Sequence, residues 1–465
     1  MAIPAITAVA FFVGVTQPLG AAQVVTTPDP IYRLRIALRT SAPEATLRLR
    51  RPAVLIQGTV RSARGETRAD WGSFGRGPLE VVRRRGAGSA AAVFVVAVTP
   101  SGAARLRFRA GQEGPGRTTI RVGNLNDRPP IPIAAVRGPG RFRVRLADVA
   151  ARGPVPGTAP LPPSVLAFYY PWYHPDDWTG GKPIAPYNQI SEPYHSSDPA
   201  VIDRHVAQAR AAGLDGFLVS WWGRESSYEP NVQALTERIP PDLTFALYVE
   251  LFSDAFRTEA DLIEELDYAL DTYAGSDRYL RIGGRPALYA FSTHNVLMPH
   301  GGGHHPDYEG VWIRVRAALA AEGHDPVLIG EGRPFATSDF GVFDGMHVYG
   351  TTDPSTTAAL NREMALTARA WAVVHGGNRR IWAASVLPGY DDRHILGRKP
   401  DHFLRQDGHL YADQWDAAIA SHSDQVLVVS FNEWMETTNI EPNVEWGNLY
   451  LDLTSSLAGR YRGSR

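Results

Sequence analysis

From residue 164 onward the chain repeats one unit: a short apolar run, a polar or aromatic end, then a helical pattern. The runs cover 165–173, 216–222, 245–251, 287–292, 327–331, 345–349, 380–387 and 426–431. Apolar runs of this length without alternation read as strands buried on both faces. Segments 201–212, 260–273, 310–321 and 356–374 carry helical spacing, and Gly213 stands where the first of them should end. A last helix over 449–461 closes the series. Eight strand–helix units within about 300 residues predict a (β/α)8 TIM barrel. A doubly wound open sheet is the alternative, disfavoured because no strand leads into a Gly-rich phosphate turn. The run His300-Gly-Gly-Gly-His304 has the glycines but neither the preceding strand nor the Lys-Ser/Thr ending of a nucleotide loop.

The part before the barrel follows a different period. Between residues 32 and 147, apolar residues alternate with Arg, as in Arg33-Leu-Arg-Ile and Arg105-Leu-Arg-Phe-Arg. Period two describes strands with one wet face, and turn clusters such as Thr99-Pro-Ser-Gly separate them. A small all-β sandwich over 24–150 is expected, joined to a barrel over 164–465 by a Pro- and Gly-rich linker at 151–163. The sandwich could bind carbohydrate, attach the protein to a cell wall, or simply pack against the barrel. It holds 23 Arg against 8 acidic residues, while the whole chain has a net charge of −1. With only two Lys in the chain, Arg is the default solvent-facing cation, so this excess does not by itself call for nucleic acid.

Residues 1–23 contain an apolar core and then Pro18 and Gly20-Ala-Ala, the pattern of an export signal, although no Lys or Arg precedes it. A secreted or cell-surface protein is therefore expected. No segment is long enough to span a bilayer as a helix. There is no cysteine, which excludes disulfides, thiolate metal sites and thiol nucleophiles. Histidines 294, 300, 304 and 305 lack the spacing of a hydrolytic zinc site, so neither a metal nor a cofactor is expected.

Barrel enzymes keep their chemistry at the C-terminal ends of the strands. There the sequence sets Tyr170 and Trp172 after the first strand, Trp221 and Trp222 after the second, and Glu250 after the third. Tyr349 follows the sixth strand and Tyr390 the seventh. The eighth ends in Asn432-Glu433-Trp434-Met435-Glu436, with Glu441 just beyond. Three carboxylates at one strand exit are a poor way to build a core and a good way to move protons. Aromatic faces beside paired acids suit a sugar, whose C–H groups pack on rings. They suit a phosphate poorly, since no basic cradle accompanies them.

The run Val429-Ser-Phe-Asn-Glu-Trp-Met-Glu-Thr-Thr-Asn-Ile-Glu-Pro442 resembles the signature of glycoside hydrolase family 99, the endo-α-1,2-mannosidases and endo-mannanases. Phe168-Tyr-Tyr-Pro-Trp-Tyr173, Ser220-Trp-Trp222, Tyr248-Val-Glu250, Phe343-Asp-Gly-Met-His-Val-Tyr349 and Pro388-Gly-Tyr-Asp391 resemble its other strand ends. The resemblance implies a retaining endo-glycosidase acting on an α-mannan-type polysaccharide or oligosaccharide. It implies Glu436 as general acid/base, and Glu433 as the carboxylate that deprotonates the sugar 2-hydroxyl to form a 1,2-anhydro intermediate. Glu250 and Tyr349 match substrate contacts. Trp221, Trp222, Tyr170, Trp172, Tyr390, Asn432 and Trp434 complete the expected binding surface, with Glu441 either a rim contact or scaffold. Two neighbours of the acids depart from the family pattern: Met435 replaces His and Thr437 replaces Gly. They support one alternative, a glycan-binding surface protein without catalysis; a protein of polysaccharide biosynthesis, like other proteins related to the family, is the other.

Overall fold

The computed structural model describes residues 31–50, 55–61, 67–69, 80–83, 90–98, 107–124, 132–137, 140–143, 161–178, 190, 192–298, 303–332, 337–350, 354–375, 378–395 and 401–464. The expected export segment, most of the expected linker and residues 300–302 of the His-Gly loop lie outside them. The alternating region forms two five-stranded antiparallel sheets, as its period requires. In one, Tyr32–Thr40 lies between Ala90–Val98 and Thr118–Asn124. In the other, Glu44–Arg50 lies between Arg107–Glu113 and Glu80–Arg83.

Eight parallel strands follow and close on themselves. They are β1 (Ser164–Tyr169), β2 (Gly216–Trp221), β3 (Thr244–Glu250), β4 (Arg285–Phe291), β5 (Val327–Glu331), β6 (Gly345–His347), β7 (Ile381–Val386) and β8 (Gln425–Val428). The last strand pairs in parallel with both β1 and β7, which closes the (β/α)8 barrel. Nearly every strand residue is buried, because the barrel interior covers one face and helices cover the other. The helices are α1 (Pro199–Ala211), α2 (Glu229–Arg238), α3 (Glu259–Tyr273), α4 (Tyr308–Ala321), α5 (Pro354–His375), α6 (His409–Ser421) and α7 (Leu449–Gly463). Local chemistry sets their ends. Asp198 caps α1, Thr258 and Asp261 form a reciprocal capping box on α3, and Gly213 takes φ +68° just past α1.

The repeat is imperfect in one place. Among the described residues, the connection from β5 to β6 holds only a 3₁₀ turn, Thr337–Gly341, instead of a helix. The segment is short and carries Gly332, Pro334 and Gly341, which deny a helix its length and its backbone donors. Strand β8 also ends earlier than its apolar run, at Val428. Two further bonds nevertheless keep the chain in line with the barrel: Val429 N–H donates to Val386 O and Phe431 N–H to Phe168 O.

Candidate active site

The stretch after β8 folds back on itself. Ser430 N–H donates to Thr438 O, Thr438 N–H to Glu433 O and Ile440 N–H to Ser430 O. Ser430 Oγ accepts the Glu433 N–H at 2.7 Å. Glu433 and Glu436 thus sit on one closed turn at the barrel mouth. Their surroundings differ. Glu433 is 3% exposed and accepts bonds from Met435 N–H at 2.9 Å and from the Tyr173 hydroxyl at 3.4 Å. Glu436 is half-buried and lines a cleft of about 660 Å³ with Tyr349, Tyr390, Glu331 and His294. The two donors aimed at Glu433 suit an ionised carboxylate, whereas Glu436 stands at the cleft, where a leaving oxygen can meet it.

Thr437 adopts φ +53°, the left-handed region that favours glycine. A β-branched residue there costs about 1–2 kcal/mol. Its hydroxyl offsets part of this by donating to Asp391 O at 2.7 Å, while Asp391 N–H donates to Glu436 O at 2.9 Å. We expect Thr437→Gly to change stability by less than about 1 kcal/mol, because a lost bond and a relieved backbone nearly cancel. Thr437→Val keeps the backbone cost and loses the bond, so it should destabilise by about 1–2 kcal/mol. Denaturant unfolding of the two variants checks this, and equal losses would exclude it.

Glu250, at the end of β3, is the third acid here. The Ser220 hydroxyl donates to it at 2.7 Å, and Trp222 Nε1 donates to that same hydroxyl at 3.0 Å. Burial, with a smaller contribution from the nearby charge of Glu436, raises the Glu250 pKa to about 8 against the Ser220 bond. Glu250 is therefore a neutral donor below that value. The folded chain holds this proton between about pH 4.5 and 8 while the unfolded chain does not, so stability falls as pH rises through that window. Glu250→Gln should flatten this part of the profile of thermal midpoint against pH, and an unchanged slope would remove Glu250 as its source.

Aromatic residues that follow β1 and β2 cluster together and join the cleft lining through Tyr349. The Tyr170 and Trp172 ring centroids lie 4.5 Å apart, and Trp172 reaches Trp222 at 6.2 Å. The hydroxyls of Tyr170 and Tyr349 share a hydrogen bond of 2.7 Å. Burial, reinforced by Glu433 among other neighbours, pushes both phenols well above the usual tyrosine range, so they stay neutral donors.

Four other expected contacts, Trp221, Asn432, Trp434 and Glu441, are buried and bonded within the protein. Trp221 is fully buried and donates to Glu229 at 2.8 Å, on the helix side of β2. Asn432 ties the β8 exit to β1, accepting from Tyr170 N–H and donating to Tyr170 O. Trp434 is fully buried and donates to Glu441 at 3.0 Å. Glu441 is 3% exposed, and its oxygens also take bonds from His205 Nε2 at 2.8 Å and Tyr194 at 2.9 Å. Tyr390 does reach the cleft, and its hydroxyl donates to Asp392. Tyr194, His205 and Arg405 were not singled out from sequence, where no motif or spacing marks them. His347 lies inside the barrel against Phe168, Tyr248 and Tyr289, and burial lowers its pKa to about 3, so it is a neutral wall.

A closed (β/α)8 barrel whose mouth carries acids on one turn beside an aromatic wall is a glycoside hydrolase scaffold. The model of glycosyl hydrolase family 99 matches residues 184–461, and the chain belongs to that family. The glycoprotein endo-alpha-1,2-mannosidase of Mus musculus is 25% identical over 352 residues, covering 63% of this chain and 71% of the mouse protein. A human glycoprotein endo-alpha-1,2-mannosidase-like protein is also 25% identical, over 56% of this chain and 58% of its own length. Among solved structures, the GH99 endo-alpha-mannosidase from Bacteroides thetaiotaomicron shares the fold, with a TM-score of 0.52 and 22% identity over 65% of this chain and 98% of that one.

Proposed function

We propose that this chain is an endo-acting, retaining hydrolase of α-linked mannose glycans. The observation that carries the reading is the turn that aims protein donors at Glu433 and opens Glu436 to the cleft, with Glu250 and the Tyr170–Tyr349 pair nearby. Its endo-α-1,2-mannosidase relatives support the substrate class. In the first step, Glu433 takes the proton of the sugar 2-hydroxyl as that oxygen bonds to C1. The bond from C1 to the leaving oxygen breaks, and the leaving oxygen takes its proton from Glu436. In the second step, Glu436 deprotonates a water that opens the 1,2-anhydro ring at C1, and Glu433 returns the proton to O2. Two inversions at C1 give net retention. Tyr170, Trp172 and Trp222 offer ring faces to the sugar, and Glu250 and Tyr349 offer donors.

Incubation with α-1,2-linked manno-oligosaccharides, polymeric α-mannans and α-glucans, with separation of products, tests the activity. The NMR signal of the first-formed anomer tests retention. Cleavage of no member of the panel would overturn the reading and favour a binding protein without turnover. Export is proposed from residues 1–23, with the mature chain divided into sheets (24–150), linker (151–163) and barrel (164–465). Sequencing of the mature N-terminus tests the export.

A further inference from the structure

Arg405 is 6% exposed, yet among the described residues its hydrogen bonds go to backbone carbonyls and an amide rather than to an acid. One Nη donates to Thr437 O at 2.8 Å, Asn439 O at 2.8 Å and Asn439 Oδ1 at 3.2 Å. The guanidinium carbon lies 4.2 Å from the Trp446 ring centroid and 4.4 Å from that of Tyr450. A buried cation with no carboxylate hydrogen-bonded to it is costly to keep, and two stacked rings with the nearby charge of Glu445 recover only part of that cost. What the cation gains in return is the segment immediately after Glu436.

We propose that Arg405 is a positioning residue of the site: its stacked guanidinium fixes the carbonyls of Thr437 and Asn439 and so sets where the Glu436 carboxyl stands in the cleft. The proposal rests on Glu436 as proton donor, argued above. Two features fit it. Gly389 lies against the Arg405 stem, and a Cβ there would fall 2.4 Å from Arg405 Cγ, so the backbone has left room for this side chain. The same loop holds the turn a second time, through Asp391 N–H to Glu436 O and Thr437 Oγ1 to Asp391 O. Burial lowers the Arg405 pKa to about 10, so it remains charged at neutral pH. A lysine carries a point charge without the planar fork, so it can keep a carbonyl bond but not the flat stack.

The experiment compares Arg405→Met, Arg405→Lys and Gly389→Ala with the unaltered protein on α-mannan, at a temperature where each is folded. Arg405→Met should lower kcat by about 10²-fold with KM little changed, since the acid is misplaced and the sugar wall is not. Arg405→Lys should recover part of the loss, and Gly389→Ala should reproduce part of it with the charge intact. Combined with Glu436→Gln, Arg405→Met should add little, because both act through one carboxyl. Hydrogen exchange at the amides of residues 436–439 should quicken in Arg405→Met. A normal kcat in Arg405→Met, or an undiminished further loss on the Glu436→Gln background, would overturn the proposal. Should the unaltered protein cleave no glycan, the catalytic reading fails by itself. The exchange measurement then decides this one, with unchanged exchange at 436–439 overturning it.

Discussion

Glu436→Gln is expected to lower turnover of a natural α-mannan by about 10²–10⁴-fold, the usual cost of losing a positioned proton donor. The substitution is nearly isosteric and its site is half-buried, so the fold should tolerate it. The leaving group then separates the two acids. In kcat/KM, which reads the step before Glu436 acts as base, a substrate whose leaving group needs no protonation, such as a glycosyl fluoride, should lose far less in Glu436→Gln than a mannan does. Glu433→Gln should lose on both, because deprotonation of the 2-hydroxyl is needed whatever leaves. Steady-state rates on both substrates check this. Equal losses for both substrates in Glu436→Gln would remove it as the acid.

The second large effect is on stability. Glu441→Ala should destabilise the protein by roughly 3 kcal/mol or more, since it leaves His205, Tyr194 and Trp434 with buried donors and no acceptor. That is a sizeable part of the 5–15 kcal/mol typical of a folded domain. Glu441→Gln should cost less, because an amide oxygen in the Oε2 place still accepts two of the three bonds, from Tyr194 and Trp434. Chemical denaturation of both variants measures the difference. A Glu441→Ala variant of unaltered midpoint would return Glu441 to the pool of substrate contacts. The site acids thus divide by what already holds them: Glu441 is saturated by protein donors, and Glu436 opens to the cleft.

Much of this was legible in the sequence. Strands buried on both faces leave continuous apolar runs, so all eight barrel strands could be read without an alternating pattern to help. The acids at the β8 exit were legible because they are local, within nine residues of each other. That the described residues between β5 and β6 hold a 3₁₀ turn and no helix was not, since the repeat elsewhere invites a full count. Nor was the direction of each side chain. Trp221 is the last residue of β2 and Trp222 the next, yet Trp221 bonds to Glu229 on α2 while Trp222 bonds toward Glu250, through Ser220. Asn432, Trp434 and Glu441 share the acids' short stretch, but their partners Tyr170, Tyr173, Tyr194 and His205 lie more than 220 residues away. Chemistry concentrated at one exit needs rigid support, and that support comes from distant chain that no local pattern announces.

The turn bearing the two acids is held on one side through Glu441 by Tyr194 and His205, and on the other through Asp391 and Arg405 from the β7 loop. A segment anchored from two directions cannot reshape itself around whatever arrives. Selection among glycans then falls to fit and access at the cleft, and little to closure around the bound sugar. A rigid mimic of the strained sugar would find its partners already in place and lose little ordering entropy on binding. Flexible and rigid inhibitors of similar contact area should therefore separate widely in affinity, with the difference lying in the ligand and hardly at all in the protein.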